Sequence, residues 1–592
     1  MDIAGRIKES TAKWLQAQFG LSLKAEEIPV QETKPEFTGD YTLVLFSFAK
    51  PLKLAPEQVG RELGECLVEK ESSLFKSFNV IKGFLNLEIR DEILTRFLQV
   101  EYANEHMGFE PPNGRKVMVE YSSPNTNKPL HMGHLRNNFL GWSVAEIFKA
   151  NGYDMVKTCI ANDRGIHICK SMIAWQLFAH GATPESTHTK GDHFVGDYYV
   201  RFGEEYKKQA EALMKSGKTK EEAEKEAPIM KAAQQMLVDW EAGKPEVIEL
   251  WKKMNSWVYA GFDETYRRIG SDFDKTYYES NTYLLGKELV ESGLKKGVFF
   301  RKEDNSVWID LTADGLDEKI VQRKDGTAVY ITQDIGLAVQ KNEEFHADQS
   351  IYVVGDEQNY HFKVLKLICQ KLGLPHADDI YHLSYGMVEL PTGRMKTREG
   401  TVVDADDLLD EMVKEAERKT REQGKTEGFT NEELKDLFEM IGLGGVKFFL
   451  LRVDPKKRML FNPEESIDLH GFTATFIQYA HARIKSVLRK EPSFSSLQES
   501  KETLLPLERQ LILLLEKYEA VLKQACTEMN PSVVAGYAFT VAKTFNSFYA
   551  EHSIAQAETN DKKNLRLQIC TLTAHVIKSS MSLLGIRVPE RM

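Results

Sequence analysis

The sequence predicts an α/β fold with an all-helical C-terminal third, and three observations predict it. Strand-like and helical patterns alternate from Lys116 to about Ala405, the apolar spacing beyond Asp406 is helical, and the first 110 residues mix both patterns in a shorter unit. The 592 residues, 42% hydrophobic and 28% charged, have an ordinary globular composition, with length for about two to four domains at ~150 residues each.

In chain order, residues 1–110 alternate helical runs (IAGRIKESTAKWLQAQFG, PEQVGRELGECLVEK) with β-rich pieces (YTLVLFSFA, GFLNLEI), and the turn-rich EPPNGRK closes this unit. A strand, KVMVEYSS, then leads through PNTNKP into a long helical pattern, HMGHLRNNFLGWSVAEIFKANG, which Asn-Gly finishes. Further strand candidates are DMVKTCIAND, VWIDL, AVYIT, SIYVVGD and DIYHLSYGMVEL. Strands separated by helices imply a mainly parallel sheet. The charged stretch at about 204–257 reads as exposed helices inserted into that sheet domain. The expected divisions are 1–110, 111–405 with its insertion, a helical connecting region 406–469, and a helical domain 470–592.

Six cysteines are scattered without a C-x-x-C pair, which suggests neither a disulfide framework nor a zinc ribbon and points to a reducing compartment. The charged N-terminus and the absence of a ~20-residue apolar run argue against secretion and membrane insertion, so a cytoplasmic location is expected. The net charge of −11 argues against a general nucleic-acid coat. It is uneven: His470–Met592 holds 15 Lys or Arg against 11 Asp or Glu, leaving −15 for the residues before it.

The sharpest chemical feature is His131-Met132-Gly133-His134, at the mouth of a helix and directly after a strand and the Pro124–Pro129 loop. A helix N-terminus offers unpaired N–H groups and a positive dipole end to a polyphosphate. Two imidazoles three residues apart share a face and can donate to phosphate oxygens. Gly133 lets a base or ribose approach the backbone, and Lys128 adds a fixed charge. The plainer alternatives are capping or surface histidines. A metal pair is disfavoured, because the H-E-x-x-H spacing and a third ligand are missing; no metal ligands are assigned. A second candidate is the basic loop Gly393–Gly400, in which Lys396 and Arg398 could close over a triphosphate.

SSPNTNKPLHMGHLRN and GRMKTREGTVV together closely resemble the HIGH and KMSKS signatures of class I aminoacyl-tRNA synthetases, and specifically the arginyl-tRNA synthetase family. The resemblance extends along the chain. GDYTLVLFSFAKPL resembles that family's N-terminal additional domain, QRKDGTAVYITQDIG and YVVGDEQNYHF its amino-acid site, and FIQYAHARIKSVLRK through PERM its all-helical anticodon-binding domain. The implied fold is a Rossmann-like parallel-sheet catalytic domain between those two units.

The resemblance implies ATP-dependent ligation of L-arginine to tRNA(Arg) through an arginyl-adenylate, with ATP as substrate and Mg2+ carried by its phosphates. Lys128, His131, His134, Lys396 and Arg398 are the implied catalytic residues, and Pro124, Lys128, His131, Gly133, His134, Met395 and Lys396 the implied ATP contacts. For arginine, Glu120, Tyr330 and Asp334 resemble the guanidinium side, Asn125 and Gln358 the amino and carboxylate end. A guanidinium has donors and no acceptor, so carboxylates suit it. Tyr479, His481 and Met592 resemble tRNA contacts, although Tyr479 also fits an apolar stripe with Phe472 and Phe476.

Two departures stand out. The loop Arg394-Met395-Lys396-Thr397-Arg398 has no clean counterpart of the signature's second lysine, a role Lys128 is placed to take. FYAEHSI is less basic than the family's usual version. A monomer is expected, with no membrane or DNA partner and with arginine activation gated by tRNA. The rivals are a synthetase of another specificity, a nucleotidylyltransferase, and a tRNA-binding paralogue without catalysis. A minimal nucleotidylyltransferase has no need of the terminal domains, and a pure binder has no use for a phosphate cradle.

Overall fold

The computed structural model describes residues 2–34, 36–389, 403–424, 426–491 and 503–592. At its centre five parallel strands run in the order Ile380–Tyr385, Gln349–Gly355, Lys116–Glu120, Asp154–Ala161, Lys275–Tyr278. Val117, Met118 and Val119 are all buried, as an interior parallel strand covered on both faces requires. The chain leaves Lys116–Glu120 for Asp154–Ala161 on one side and later reaches Gln349–Gly355 on the other. The reversal of direction opens a crevice at the strands' C-terminal ends.

Three strand expectations need correction. AVYIT is the start of the Tyr330–Phe345 helix; its β-branched residues suggest a strand, but Ile331, Thr332, Ile335 and Gly336 bury one helical face. The strand in VWIDL, Val307–Ile309, belongs to a separate antiparallel sheet with Phe300–Arg301 and Lys319–Gln322. DIYHLSYGMVEL divides at Gly386, whose N–H donates to the Pro455 carbonyl at 2.9 Å; beyond it Val388–Glu389 pairs with Met459–Leu460.

Residues 2–89 contain a four-stranded antiparallel sheet in the order Val30–Glu32, Tyr41–Val44, Phe84–Ile89, Phe75–Ile81. The β-rich YTLVLFSFA is a strand only to Val44, and Phe46–Leu52 is helical. Leu45, Phe48 and Ala49 are buried at helical spacing. The charged insertion is wider than its composition suggests: helices Gly191–Lys215, Lys220–Glu226, Pro228–Glu241 and Pro245–Ile269 follow one another. Buried apolar residues at their outer ends, such as Phe194, Val195, Val258 and Phe262, mask its beginning and end in the sequence.

Ala405–Glu422, Asn431–Leu451, Ala474–Lys490, Pro506–Glu516, Tyr518–Glu528, Pro531–Glu551 and Asn560–Leu583 make up the helical third. The Met132–Ala150 helix runs from the crevice into it, and there Ser143 Oγ donates to the Leu583 carbonyl at 2.7 Å and Asn151 Nδ2 to that of Leu522 at 3.1 Å. The N-terminal unit docks on the same domain. Arg509 Nε donates to Asp40 at 3.1 Å, and the buried Glu516 accepts from Ile3 N–H and Tyr41 OH at 3.0 and 2.8 Å. Among the described residues no helix is long and apolar enough to cross a membrane.

Candidate active site

The site grows from the loop that follows Glu120. Ser122 takes positive φ and its N–H donates to Asn137 Oδ1 at 2.6 Å, while Asn137 Nδ2 donates to the Val353 carbonyl at 2.6 Å. One side chain on the Met132–Ala150 helix thus ties the loop after Glu120 and the neighbouring Gln349–Gly355 strand to the helix.

At that mouth His131 is the N-cap residue. Its Nδ1 accepts from Gly133 N–H at 3.1 Å, and His134 Nδ1 accepts from His131 N–H at 3.1 Å. Burial, with the Lys128 charge as a second cause, pushes His131 down to about 4. Burial, His131 and Lys128 push His134 well below the usual histidine range. Both rings are therefore neutral at pH 7. Since each Nδ1 is an acceptor, each proton sits on Nε2, leaving two N–H donors on rings whose centroids are 3.8 Å apart.

The expected unpaired backbone N–H groups are not there. Met132 N–H donates to the Val403 carbonyl at 3.1 Å, Gly133 N–H to His131, and His134 N–H to the His131 carbonyl at 2.8 Å. Side chains, not the helix backbone, are what this mouth offers an anion. Gly133 also has a local reason: a Cβ there would lie 3.0 Å from His131 Cε1, so a side chain would crowd the ring.

A cleft of about 860 Å³ opens at Asn125, in the loop that leads to the helix mouth. Asn125, Tyr330 and Asp334 line it, with Arg164, His167 and Glu279. Tyr330 and Asp334 are four residues apart on one helix and so share a face; Tyr330 is 73% exposed, and Asp334 Oδ2 meets His361 Nε2 at 2.6 Å. Glu279 escapes a reading of the sequence, because an acid after a tyrosine pair carries no distinctive pattern. Burial raises its carboxyl above the usual range, Arg164 opposes this, and Asp163 and Asp334 add to it. His167 accepts or donates at 3.0 Å to Tyr199 OH, and burial, Lys170 and Lys128 lower it.

Other expected residues lie apart. Glu120 is buried against the ammonium of Lys341, itself 1% exposed and 5.3 and 5.1 Å from the ring centres of Tyr277 and Tyr352. Gln358 is exposed just after the Gln349–Gly355 strand, and Pro124 is buried in the loop. Met395, Lys396 and Arg398 lie outside the described residues. In the helical third His481 is buried, with Nδ1 2.9 Å from the Pro589 carbonyl. Tyr479 stacks under Arg483, whose guanidinium carbon is 4.8 Å from its ring centre and 5.2 Å from that of Tyr549. Met592 lines a separate cleft of about 280 Å³ with Thr420, Ile441 and His470.

Comparison with known proteins matches three family models along the chain. The family models for the arginyl tRNA synthetase N-terminal domain, the class I (R) tRNA synthetase catalytic domain and the DALR anticodon binding domain match residues 2–89, 98–462 and 477–592. The chain is 51% identical over 597 residues to the arginine–tRNA ligase of Amoebophilus asiaticus, covering 100% of both chains. It is 52% identical over 583 residues to that of Flavobacterium psychrophilum, covering 96% of this chain and 97% of the relative. The fold matches a solved arginyl-tRNA synthetase of Thermus thermophilus with a TM-score of 0.82, at 24% identity and 100% coverage of both chains. A neutral histidine pair at a helix mouth, a carboxylate-bearing cleft in the same domain and these full-length matches agree: the chain belongs to the arginine–tRNA ligase family of class I tRNA synthetases.

Proposed function

We propose that the chain joins L-arginine to tRNA(Arg) at the expense of ATP, through an arginyl-adenylate. The observation that carries this reading is the pair of Nε2–H donors on His131 and His134, on both of which the Lys128 charge acts, together with a cleft whose carboxylates suit a guanidinium. An arginine carboxylate oxygen attacks the α-phosphorus, a new P–O bond forms, and the bond to pyrophosphate breaks. A terminal ribose hydroxyl of the tRNA then attacks the adenylate carbonyl carbon, giving the ester and releasing AMP.

Such steps depend mainly on positioning and on compensation of phosphate charge. Neutral imidazoles donate without needing to gain a proton, and Lys128 supplies the fixed charge. Tyr330, Asp334 and Glu279 take the guanidinium, Asn125 and Gln358 the amino and carboxylate end, and Glu120 stands behind them through its pair with Lys341. Magnesium enters as part of the nucleotide substrate. Among the described residues the His–carboxylate group close enough to hold an ion, Asp192, His193 and Asp406, already has the Lys190 ammonium on both aspartates, and so does not fit it.

The helical domain binds the anticodon arm, where splayed bases stack on planar side chains; the Tyr479–Arg483–Tyr549 stack is such a platform. The enzyme works as a cytoplasmic monomer. ATP–pyrophosphate exchange with each of the twenty amino acids, with and without total tRNA, tests the reading. Exchange with arginine alone is expected, and only when tRNA is present. Exchange with a different amino acid, or none, overturns the proposed specificity.

A further inference from the structure

The histidine pair does not hold its own place. Two segments distant in sequence meet around it: Leu130–Met132 and Val403–Ala405 pair through Met132 N–H to the Val403 carbonyl at 3.1 Å and Ala405 N–H to the Leu130 carbonyl at 3.0 Å, with His131 opposite Asp404. One turn of the Gly191–Lys215 helix touches both sides of this junction. His193 Nε2 lies 3.1 Å from Asp406 Oδ2 and 3.5 Å from Asp404 Oδ2. Three residues on, Gly196 packs on the Lys128–Pro129 backbone, where a Cβ would fall 2.8 Å from Pro129 Cδ and 3.6 Å from Lys128 Cα. Residues three apart on a helix share a face, so one face carries both contacts.

From this geometry we infer that His193, with Gly196, is a positioning residue for adenylate formation, fixing the Lys128 loop and the Asp404 segment in one register about His131. The inference rests on the roles proposed above for His131 and Lys128. The surrounding charges suit the task. Lys190 Nζ bonds Asp406 at 2.7 Å, Asp192 at 3.1 Å and Thr265 Oγ1 at 2.6 Å, and Asp404 Oδ1 caps the Ala405–Glu422 helix at Asp406 N and Asp407 N, 2.9 and 3.1 Å away. Asp192 and Asp406 thus share one ammonium, Asp404 and Asp407 add carboxylates without one among the described residues, and a protonated His193 would supply a second cation. Burial alone would lower His193, but Asp406, Asp404 and Asp192 outweigh it and raise it above the usual 6.5.

The test is ATP–pyrophosphate exchange by the full chain, with arginine and tRNA, for wild type, His193→Gln and Gly196→Ala. Misplacement of reacting groups by about 1 Å costs up to about a hundredfold. We expect kcat to fall at least about tenfold in each variant, with tRNA affinity by gel shift unchanged. In the wild type the rate should decline as pH rises through the His193 titration, and His193→Gln should lose that limb. A variant that melts and binds tRNA like wild type yet keeps its rate and pH profile overturns the role. Should His193→Gln not fold, Gly196→Ala, which keeps every ion pair, decides by the same criterion. Wild type lacking arginine-dependent exchange overturns the activity and this inference together; a normal wild type beside unaffected variants overturns this inference alone.

Discussion

The Lys341 ammonium is buried on the Glu120 carboxylate, 221 residues away in sequence. Glu120 ends a central strand and Lys341 lies on the helix that bears Tyr330 and Asp334, so the pair ties that helix to the sheet. Breaking a buried pair strands the remaining charge, at a cost of about 3–5 kcal/mol. Lys341→Met should lose about that much in denaturant unfolding. The double variant Lys341→Met with Glu120→Gln should recover most of it, and an unchanged midpoint in Lys341→Met would show that the pair contributes nothing.

Guanidinium recognition is expected to follow the carboxylates that line the cleft. Removing one partner of a charged hydrogen bond costs about 1.5–3 kcal/mol, or roughly a ten- to hundredfold rise in the arginine KM of exchange. Asp334→Asn and Glu279→Gln should each show this with the KM for ATP little changed, and each should move the arginine KM more than Glu120→Gln does. Equal KM values in all three variants and wild type would place the guanidinium elsewhere.

Lys128 stands three residues before His131, and its charge acts on His131, His134 and His167 alike. Lys128→Ala should all but abolish adenylate formation, by about a hundred- to a thousandfold as expected for loss of a charge-stabilising group, while circular dichroism and tRNA binding stay as in wild type. Near-normal exchange would remove Lys128 from the mechanism.

The neutral histidines give a pH signature. With His131 held near 4 against an ordinary 6.5, the unfolded chain binds more protons between those values. Their contribution to stability is complete above 6.5 and lost as pH falls toward 4. Nitrogen-15 spectra of histidine-labelled protein should show two rings protonated at Nε2 that do not titrate between pH 5.5 and 8. An Nδ1–H tautomer at either ring would contradict the hydrogen bonds from Gly133 and His131.

Local chemistry is legible in the sequence. His131 and His134 stand three residues apart after a strand, and Tyr330 and Asp334 four apart, so short-range spacing already puts each pair on one face. The unreadable parts depend on contacts that only the fold makes. Lys341 reads as an unremarkable helical lysine, Glu279 follows two tyrosines without pattern, and His193 meets Asp406 across 213 residues. The helix at Tyr330 is hidden because β-branched residues outweigh its i, i+4 burial in the pattern, and the pairing of the helix-mouth N–H groups because a partner at Val403 is invisible along the chain.

Lys447 offers a last test, at the seam between the sheet domain and the helical third. Its Nζ donates to the Gly585 carbonyl at 2.5 Å and lies 5.4 Å from the Phe139 ring centre, on the helix that starts at the histidine pair. Burial, aided by Arg587, lowers the ammonium from 10.5 to about 8. A lowered folded value means that the unfolded chain binds the extra proton between pH 8 and 10.5, so this group disfavours folding below pH 8, and the penalty fades as pH rises through that window. The full difference is on the order of 3 kcal/mol. Denaturant unfolding of wild type should therefore gain stability from pH 7.5 to 10 relative to Lys447→Met, which has no ammonium to lose. Parallel pH profiles for the two proteins would show that Lys447 keeps its ordinary affinity for a proton, and that water or a counter-charge reaches it in solution.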